Sequence, residues 1–352
     1  MTILIKNIQL LDGTGKPPIK ADVLIKNEKI SSIQQTINYK ADEIIDGRGA
    51  YLAPGFININ NHQYREIDIL FNSGQKDFIS KGITTVIGGQ SGFSLAPLLY
   101  GSIESVKTNI DWHTLSEFFD AIKKRPLGVN FGTFIGHTTV RRDIVREPDF
   151  RNLTPNELKI FNLILKRSFN EGAFGVSIGL NDYFISQISY FEFKKIAETT
   201  ARFKKIYSVN LNIKKENLID SVKKIIFLAK ETGVKIFISD FPPIKDSEEY
   251  HQDAIKLIEE NAATSDIYFN EKTAIISEKI MPIENAVKKI SFIPARTFGL
   301  NKRGEIKSGN FADLVIFKED EIREVILNGK RALKDGVFQN ISAGKILKSQ
   351  NA

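Results

Sequence analysis

Cysteine is absent from the 352 residues. That excludes disulfides, zinc–thiolate sites and a cysteine nucleophile, and it suits a cytoplasmic protein. Histidine is scarce: His62, His113, His137 and His251 are the four present. No segment supplies the roughly 18 uninterrupted apolar residues of a membrane span. The opening MTILIKNIQLLDG turns polar too soon for a secretory signal, so a cytoplasmic location is the expectation. Gly88-Gly89 is no phosphate loop, because the Lys and Ser/Thr of that motif do not follow it. Tandem repeats and low-complexity tracts are absent too.

What is present has the balance of an ordinary soluble globular chain, 42% hydrophobic and 26% charged. Its length can bury a sizeable core in one large domain or two smaller ones. The net charge is +7, a sign that can indicate nucleic acid or an anionic surface. Here the lysines are scattered in pairs such as Lys123-Lys124, Lys194-Lys195 and Lys223-Lys224. They share helix faces with Glu and Asp, as on a solvated surface, and nucleic-acid binding is disfavoured.

Short alternating runs separated by turn residues fill the first ~50 residues and predict a small antiparallel β unit. Ile3-Leu4-Ile5, Ala21 to Ile25 and Lys29 to Ile33 are its strands. The far end resumes this texture at Ala312 to Phe317, Val325 to Gly329 and Asp335 to Val337. The two ends therefore predict one sheet domain. Between them, apolar runs at 82–89, 129–136, 173–178, 206–210, 234–239 and 266–269 alternate with helical periodicity. One helix is signalled sharply, with Thr154 as cap, Pro155 in the first turn, Glu157 three residues on and Gly172 at the end. Such βα repetition predicts an α/β fold, a parallel (β/α) barrel of the TIM type. The expected division is a β-sandwich from 1–52 with 304–352, and the barrel over 53–303. The polar tail from Lys348 to Ala352 is expected to be disordered.

Several motifs carry a resemblance. They are Asp12-Gly13-Thr14-Gly15, Pro54-Gly55-Phe56-Ile57, Gly82 to Gly89, Gly136-His137-Thr138-Thr139-Val140-Arg141, Glu171 to Ser177, Pro294 to Leu300 and Gly304 to Val315. With these the chain, from about Lys6 to Gly344, resembles the D-aminoacylase (N-acyl-D-amino-acid deacylase) branch of the amidohydrolase superfamily. The resemblance implies hydrolysis of N-acyl-D-amino acids, with a zinc-bound hydroxide as nucleophile and a carboxylate moving protons.

The same resemblance locates the metal ligands, and there the chain departs from the family. Pro54 to Tyr64 reads PGFININNHQY. Asn58 stands for the family's Asp, Asn60 for its first His, and His62 is retained. Ser91 falls on the metal-binding Cys. Asn210 falls on a His, and Asn212 on the Arg two residues later. Asp240 replaces another His, and Pro242 a substrate-binding Lys. The catalytic Asp has no evident counterpart, and the chain skips a long family segment between Phe269 and Met281, with part of the eighth strand. Catalytic zinc usually takes three strong protein ligands and an open fourth position. Of Asn60, His62, Ser91, Asn210 and Asp240, the competent ligands are His62 and Asp240.

The remaining candidates have structural readings beside functional ones. His62 is read as hydrogen-bonded to Asn60 or Asp240 in a metal-free pocket, and His137 as a structural hydrogen-bonding residue. His113 is read as a surface or capping residue, His251 as solvated on a charged helix face, and Glu216, Glu259 and Glu260 as helical by periodicity, with no argued catalytic position. Arg141 and Arg142 could hold a substrate carboxylate or pair with Asp143 or Glu147. Ser91 is the one nucleophile candidate, with His62 the only base to consider.

The expectation is a homologue that has lost zinc chemistry, with no cofactor and no assigned catalytic residue. Its role would be scaffold, partner subunit of an active paralogue or of a homo-oligomer, or binder of a small polar ligand, without membrane association. The alternative is an active hydrolase of N-acyl-D-amino acids, with zinc held by His62, Asp240 and a third group.

Overall fold

The computed structural model describes residues 1–59, 68–100, 110, 112–145, 151–180, 188–214, 216–239, 241, 248–269 and 281–350. His62, Asn60, Asp240, Pro242, Glu147 and the segment 270–280 lie outside them.

The terminal strands are β1 (Thr2–Leu10), β2 (Ile19–Lys26), β3 (Lys29–Gln34), β4 (Glu43–Asp46) and β5 (Tyr51–Pro54), with β14 (Leu314–Lys318), β15 (Glu321–Leu327), β16 (Lys330–Lys334) and β17 (Val337–Phe338). Antiparallel β1–β2–β3 matches the turn signals at the N-terminal end. The strands hydrogen-bond in the order β17-β16-β15-β14-β5-β1-β2-β3, with β4 also on β1, a nine-stranded sheet built from both ends of the chain. Its ends of chain meet where β5 pairs with β14, Leu314 opposite Pro54.

The middle of the chain gives parallel strands. A three-stranded sheet holds β6 (Phe56–Asn58), β7 (Ile83–Gly88) and β8 (Asn130–Thr133). A five-stranded one holds β9 (Ile135–Gly136), β10 (Gly175–Gly179), β11 (Ile206–Asn210), β12 (Lys235–Ser239) and β13 (Ile267–Phe269). Only Phe134 separates β8 from β9, and Phe134 N–H donates to Gly88 O at 3.0 Å while Phe174 N–H donates to Thr133 O at 3.0 Å. The two sheets are thus successive stretches of one array. With β8 and β9 taken as a single strand, it runs through seven strands among the described residues.

Helices surround this array, most of them on one face, with Ala295 of the last packed in the apolar cluster of the other. They are α1 (Asp68–Phe71), α2 (Lys76–Ile79), α3 (Leu115–Lys123), α4 (His137–Val145), α5 (Pro155–Glu171), α6 (Tyr190–Arg202), α7 (Leu218–Thr232), α8 (Glu248–Ser265), α9 (Ile283–Val287) and α10 (Ile293–Thr297). On α5 the capping box is formed, with Thr154 and Glu157 bonding each other's backbone and Gly172 closing the helix at φ 115°. Leu158, Phe161, Leu165 and Phe169 give α5 its buried stripe. The opposite face of the array carries a separate apolar cluster in which the Phe298 ring meets Phe134, Phe174 and Phe237, with centroids 5.7, 6.1 and 5.0 Å away.

One buried polar network ties the two sheets together. Asp313, just ahead of β14, accepts from Arg303, from Asn130 Nδ2 at 3.0 Å and from Asn328 N at 2.7 Å. Asn328 Nδ2 donates on to Asn130 Oδ1 at 2.8 Å. The tail departs from expectation: Ile346 bridges to Phe131, Leu347 N donates to Phe131 O at 2.7 Å, and Ser349 N donates to Gly172 O at 2.9 Å. Lys205 Nζ also donates to Ser349 Oγ at 2.9 Å. Pairing with β8 therefore ends at Leu347, and Ser349 and Gln350 are held by Gly172 and Lys205, contacts that sequence composition does not reveal.

Candidate functional site

The resemblance directs attention to the C-terminal ends of the parallel strands, where α/β sheets of this kind hold their ligands. Beyond β7 the chain turns sharply through Gly89-Gln90-Ser91-Gly92. Gly89 has φ 72°, and a Cβ there would sit 2.1 Å from Phe134 O, so no side chain fits. Ser91 itself takes φ 56°, a left-handed conformation unusual for serine. Gly92 N–H donates to Ser177 Oγ on β10 at 3.1 Å and fixes the turn.

That turn delivers Ser91 to the end of β11, where Asn210 Nδ2 donates to Ser91 Oγ at 2.9 Å. The preceding layer repeats the theme, with Ser208 Oγ donating to Gln90 Oε1 at 2.7 Å. Ser239 stands opposite Asn210 in the β11–β12 register. Gln90, Ser208, Asn210 and Ser239 are all buried. Among the described residues Gln90 Nε2 and Ser239 Oγ find no hydrogen-bond partner, a condition that costs about 1–3 kcal/mol per buried group. Asn58 is buried at the end of β6.

These groups do not fit a zinc ion. A serine hydroxyl and a carboxamide are neutral, weak donors compared with imidazole, thiolate or carboxylate, and here they are already bonded to each other. Among the described residues no group of three or more His, Cys, Asp or Glu could hold a metal. Of the expected ligand positions the structure brings Ser91 and Asn210 together; Asn60, His62 and Asp240 lie outside the described residues.

His137 begins α4, fully buried against the Phe161 ring at 5.2 Å. Its Nε2 lies 3.0 Å from Glu192 Oε1, and Arg141 Nε is 3.3 Å from the same oxygen. Burial alone would raise the Glu192 pKa, but His137 and Arg141 outweigh it and hold that carboxyl below its usual range. Sequence reasoning offered Arg141 a partner in Asp143 or Glu147; Glu192, from α6, was missed. Asp143 instead accepts from Leu99 N at 2.5 Å. Arg142 lies over the Phe93 ring, 5.5 Å from its centre.

His113 is exposed, its Nδ1 3.0 Å from Leu98 O, while Thr114 caps α3. His251 corrects its reading as solvated: it is 6% exposed and stacks 4.5 Å from Phe241. Its neighbours on α8 are charged, but the helix turns this residue inward. Glu216, Glu259 and Glu260 are exposed.

No protein-family model matches the chain. It is 25% identical over 244 residues to the D-aminoacylase of Alcaligenes xylosoxydans xylosoxydans, covering 67% of this chain and 50% of that protein. The chain thus spans about half the length of the curated relatives it matches. Among solved structures, D-aminoacylase, described as defining a novel subset of amidohydrolases, superposes with a TM-score of 0.88 at 19% identity, covering 98% of this chain and 99% of that one. The N-acyl-D-glutamate deacylase of Bordetella bronchiseptica, solved with zinc and a phosphonate mimic of the tetrahedral intermediate, gives 0.85 at 18% identity, with 98% and 99% covered.

The fold is therefore the α/β fold of the amidohydrolases. Within it, the chain is a homologue of the D-aminoacylase (N-acyl-D-amino-acid deacylase) family.

Proposed function

We propose that this chain is a D-aminoacylase-like protein that has given up zinc-dependent hydrolysis and uses the old pocket to bind a small polar ligand. The observation that carries the reading is the 2.9 Å hydrogen bond between Asn210 Nδ2 and Ser91 Oγ. Both positions belong to metal ligands in the family pattern, and here they satisfy each other. The unpartnered Gln90 Nε2 and Ser239 Oγ are buried donors for a carbonyl or hydroxyl oxygen of such a ligand. The reading treats the array as a (β/α) barrel shortened near its last strand, supported by the convergence of Phe134 between β8 and β9, Phe174 just ahead of β10 and Phe237 on β12 around Phe298. It also treats 1–52 with 304–352 as one unit and 53–303 as the other, supported by the shared terminal sheet. A partner-subunit or scaffold role is compatible with the same loss of chemistry.

The reading is tested by hydrolysis of N-acetyl-D-amino acids with added zinc or cobalt. We expect no turnover above the uncatalysed rate; turnover lost on His62→Ala would overturn the proposal. A second reading, an active hydrolase with one metal held by His62, Asp240 and a third group, is favoured by two facts. Both residues are competent ligands in sequence, and a structural relative was solved with zinc. It predicts that turnover.

A further inference from the structure

Away from the polar strand ends, a cavity of about 50 Å³ lies between β10 and β11 on one side and α6 and α7 on the other. Strand alternation separates the two places. On β11, Ser208 and Asn210 belong to the polar cluster, while Tyr207 and Val209 line the cavity. Ile178, Leu180, Phe193, Ile225 and Leu228 make most of the remaining wall, and Tyr190 and Lys224 also line it.

Tyr207 carries the buried hydroxyl of that wall. The residue is 1% exposed and its hydroxyl finds no hydrogen-bond partner among the described residues. Burial, with the negative field of Glu192 added, pushes its pKa far above the usual phenol range, so it stays a neutral donor. Tyr190, also in the lining, donates its hydroxyl to Glu231 at 2.6 Å and packs on Phe227 at 5.6 Å between ring centres.

Size and chemistry together define the occupant. At about 10–15 Å³ for each water-sized group, the space admits roughly three to five heavy atoms. Water is a poor filler, since it needs two to four polar partners and the wall offers one buried hydroxyl. A hydrocarbon would fill the space and leave that hydroxyl orphaned at the cost of an unmade hydrogen bond.

We propose that this cavity is a binding site for a short-chain carbonyl compound whose oxygen accepts a hydrogen bond from Tyr207 Oη and whose aliphatic body packs on Ile178, Phe193, Ile225 and Leu228. The site is separate from the Ser91–Asn210 cluster, so its failure leaves the proposed function untouched.

The test titrates the full chain with butanone and follows the methyl NMR signals of Ile178, Ile225 and Leu228, with xenon as a purely apolar probe. Saturable shifts confined to those methyls are expected with both probes. Tyr207→Phe should weaken butanone binding by about tenfold while binding xenon as the parent does and melting no lower. Leu228→Trp should abolish both responses. Butanone binding unchanged in Tyr207→Phe overturns the proposal, as does the absence of saturable shifts with butanone or with xenon in the parent protein.

Discussion

Asn210 and Ser91 lie 119 residues apart in the chain and are joined by a 2.9 Å hydrogen bond between the carboxamide and the hydroxyl. The bond depends on the left-handed turn that swings Ser91 over from the end of β7. It occupies, with neutral groups, ground that a metal centre would need for strong donors. The bond's own contribution is modest, about 0.5–1.5 kcal/mol; its weight lies in what it displaces.

Restoring imidazoles should reverse that displacement. The triple variant Asn60→His, Asn210→His, Asp240→His is expected to bind zinc at least on the order of a hundredfold more tightly than the parent, measured by calorimetric titration. No gain would show that these residues do not stand at the family's ligand positions.

The network around Asp313 predicts a large stability effect far from any chemistry. Asp313→Ala leaves the buried Arg303 guanidinium without its counter-charge and frees Asn130 and Asn328 donors. Breaking a buried pair in this way costs about 3–5 kcal/mol, read as a lower urea midpoint. A loss below about 1 kcal/mol, the worth of a surface pair, would mean that the network does not bind the two sheets together.

His137 is assigned here to the fold, through Glu192. Glu192→Gln removes the negative charge shared by His137 and Arg141 and should lower stability by about 3–5 kcal/mol. If instead the thermal midpoint holds while ligand binding is lost, His137 and Glu192 belong to a binding site and not to the scaffold.

At the start of α5, Glu157 supplies a pH dependence with a definite sign. Its carboxyl is drawn down from 4.5 to about 2, chiefly by hydrogen bonds from Arg151 and also by Thr154. A depressed carboxylate stabilises the fold fully above its unfolded pKa, and that contribution fades as pH falls from 4.5 toward 2. Glu157→Gln should therefore cost about 0.5–1 kcal/mol near neutral pH, as expected for a partly exposed cap and ion pair. The gap between parent and variant should close in acid; a gap that widens there contradicts the assignment.

Sequence pattern carried much of this architecture because it depends on local rules. The strand expected at 206–210 is β11, Ile206–Asn210, and the cap and stop signals of Thr154, Pro155, Glu157 and Gly172 bound α5. What the pattern missed depends on distant partners. His251 sits among charged neighbours yet is buried by Phe241, which follows β12. Glu192 meets His137 across 55 residues, and Ser349 in the tail is held by Gly172 and Lys205. At the candidate site, the identities of Ser91 and Asn210 were legible as departures from the family pattern. Their bond to each other was not, because it requires a positive φ that serine does not advertise.

The most direct test of lost zinc chemistry is the metal content of the purified protein, by elemental analysis after incubation with zinc and removal of the excess. The account predicts close to no zinc per chain. A stoichiometry near one would contradict it and return His62 and Asp240 to the centre of an active site.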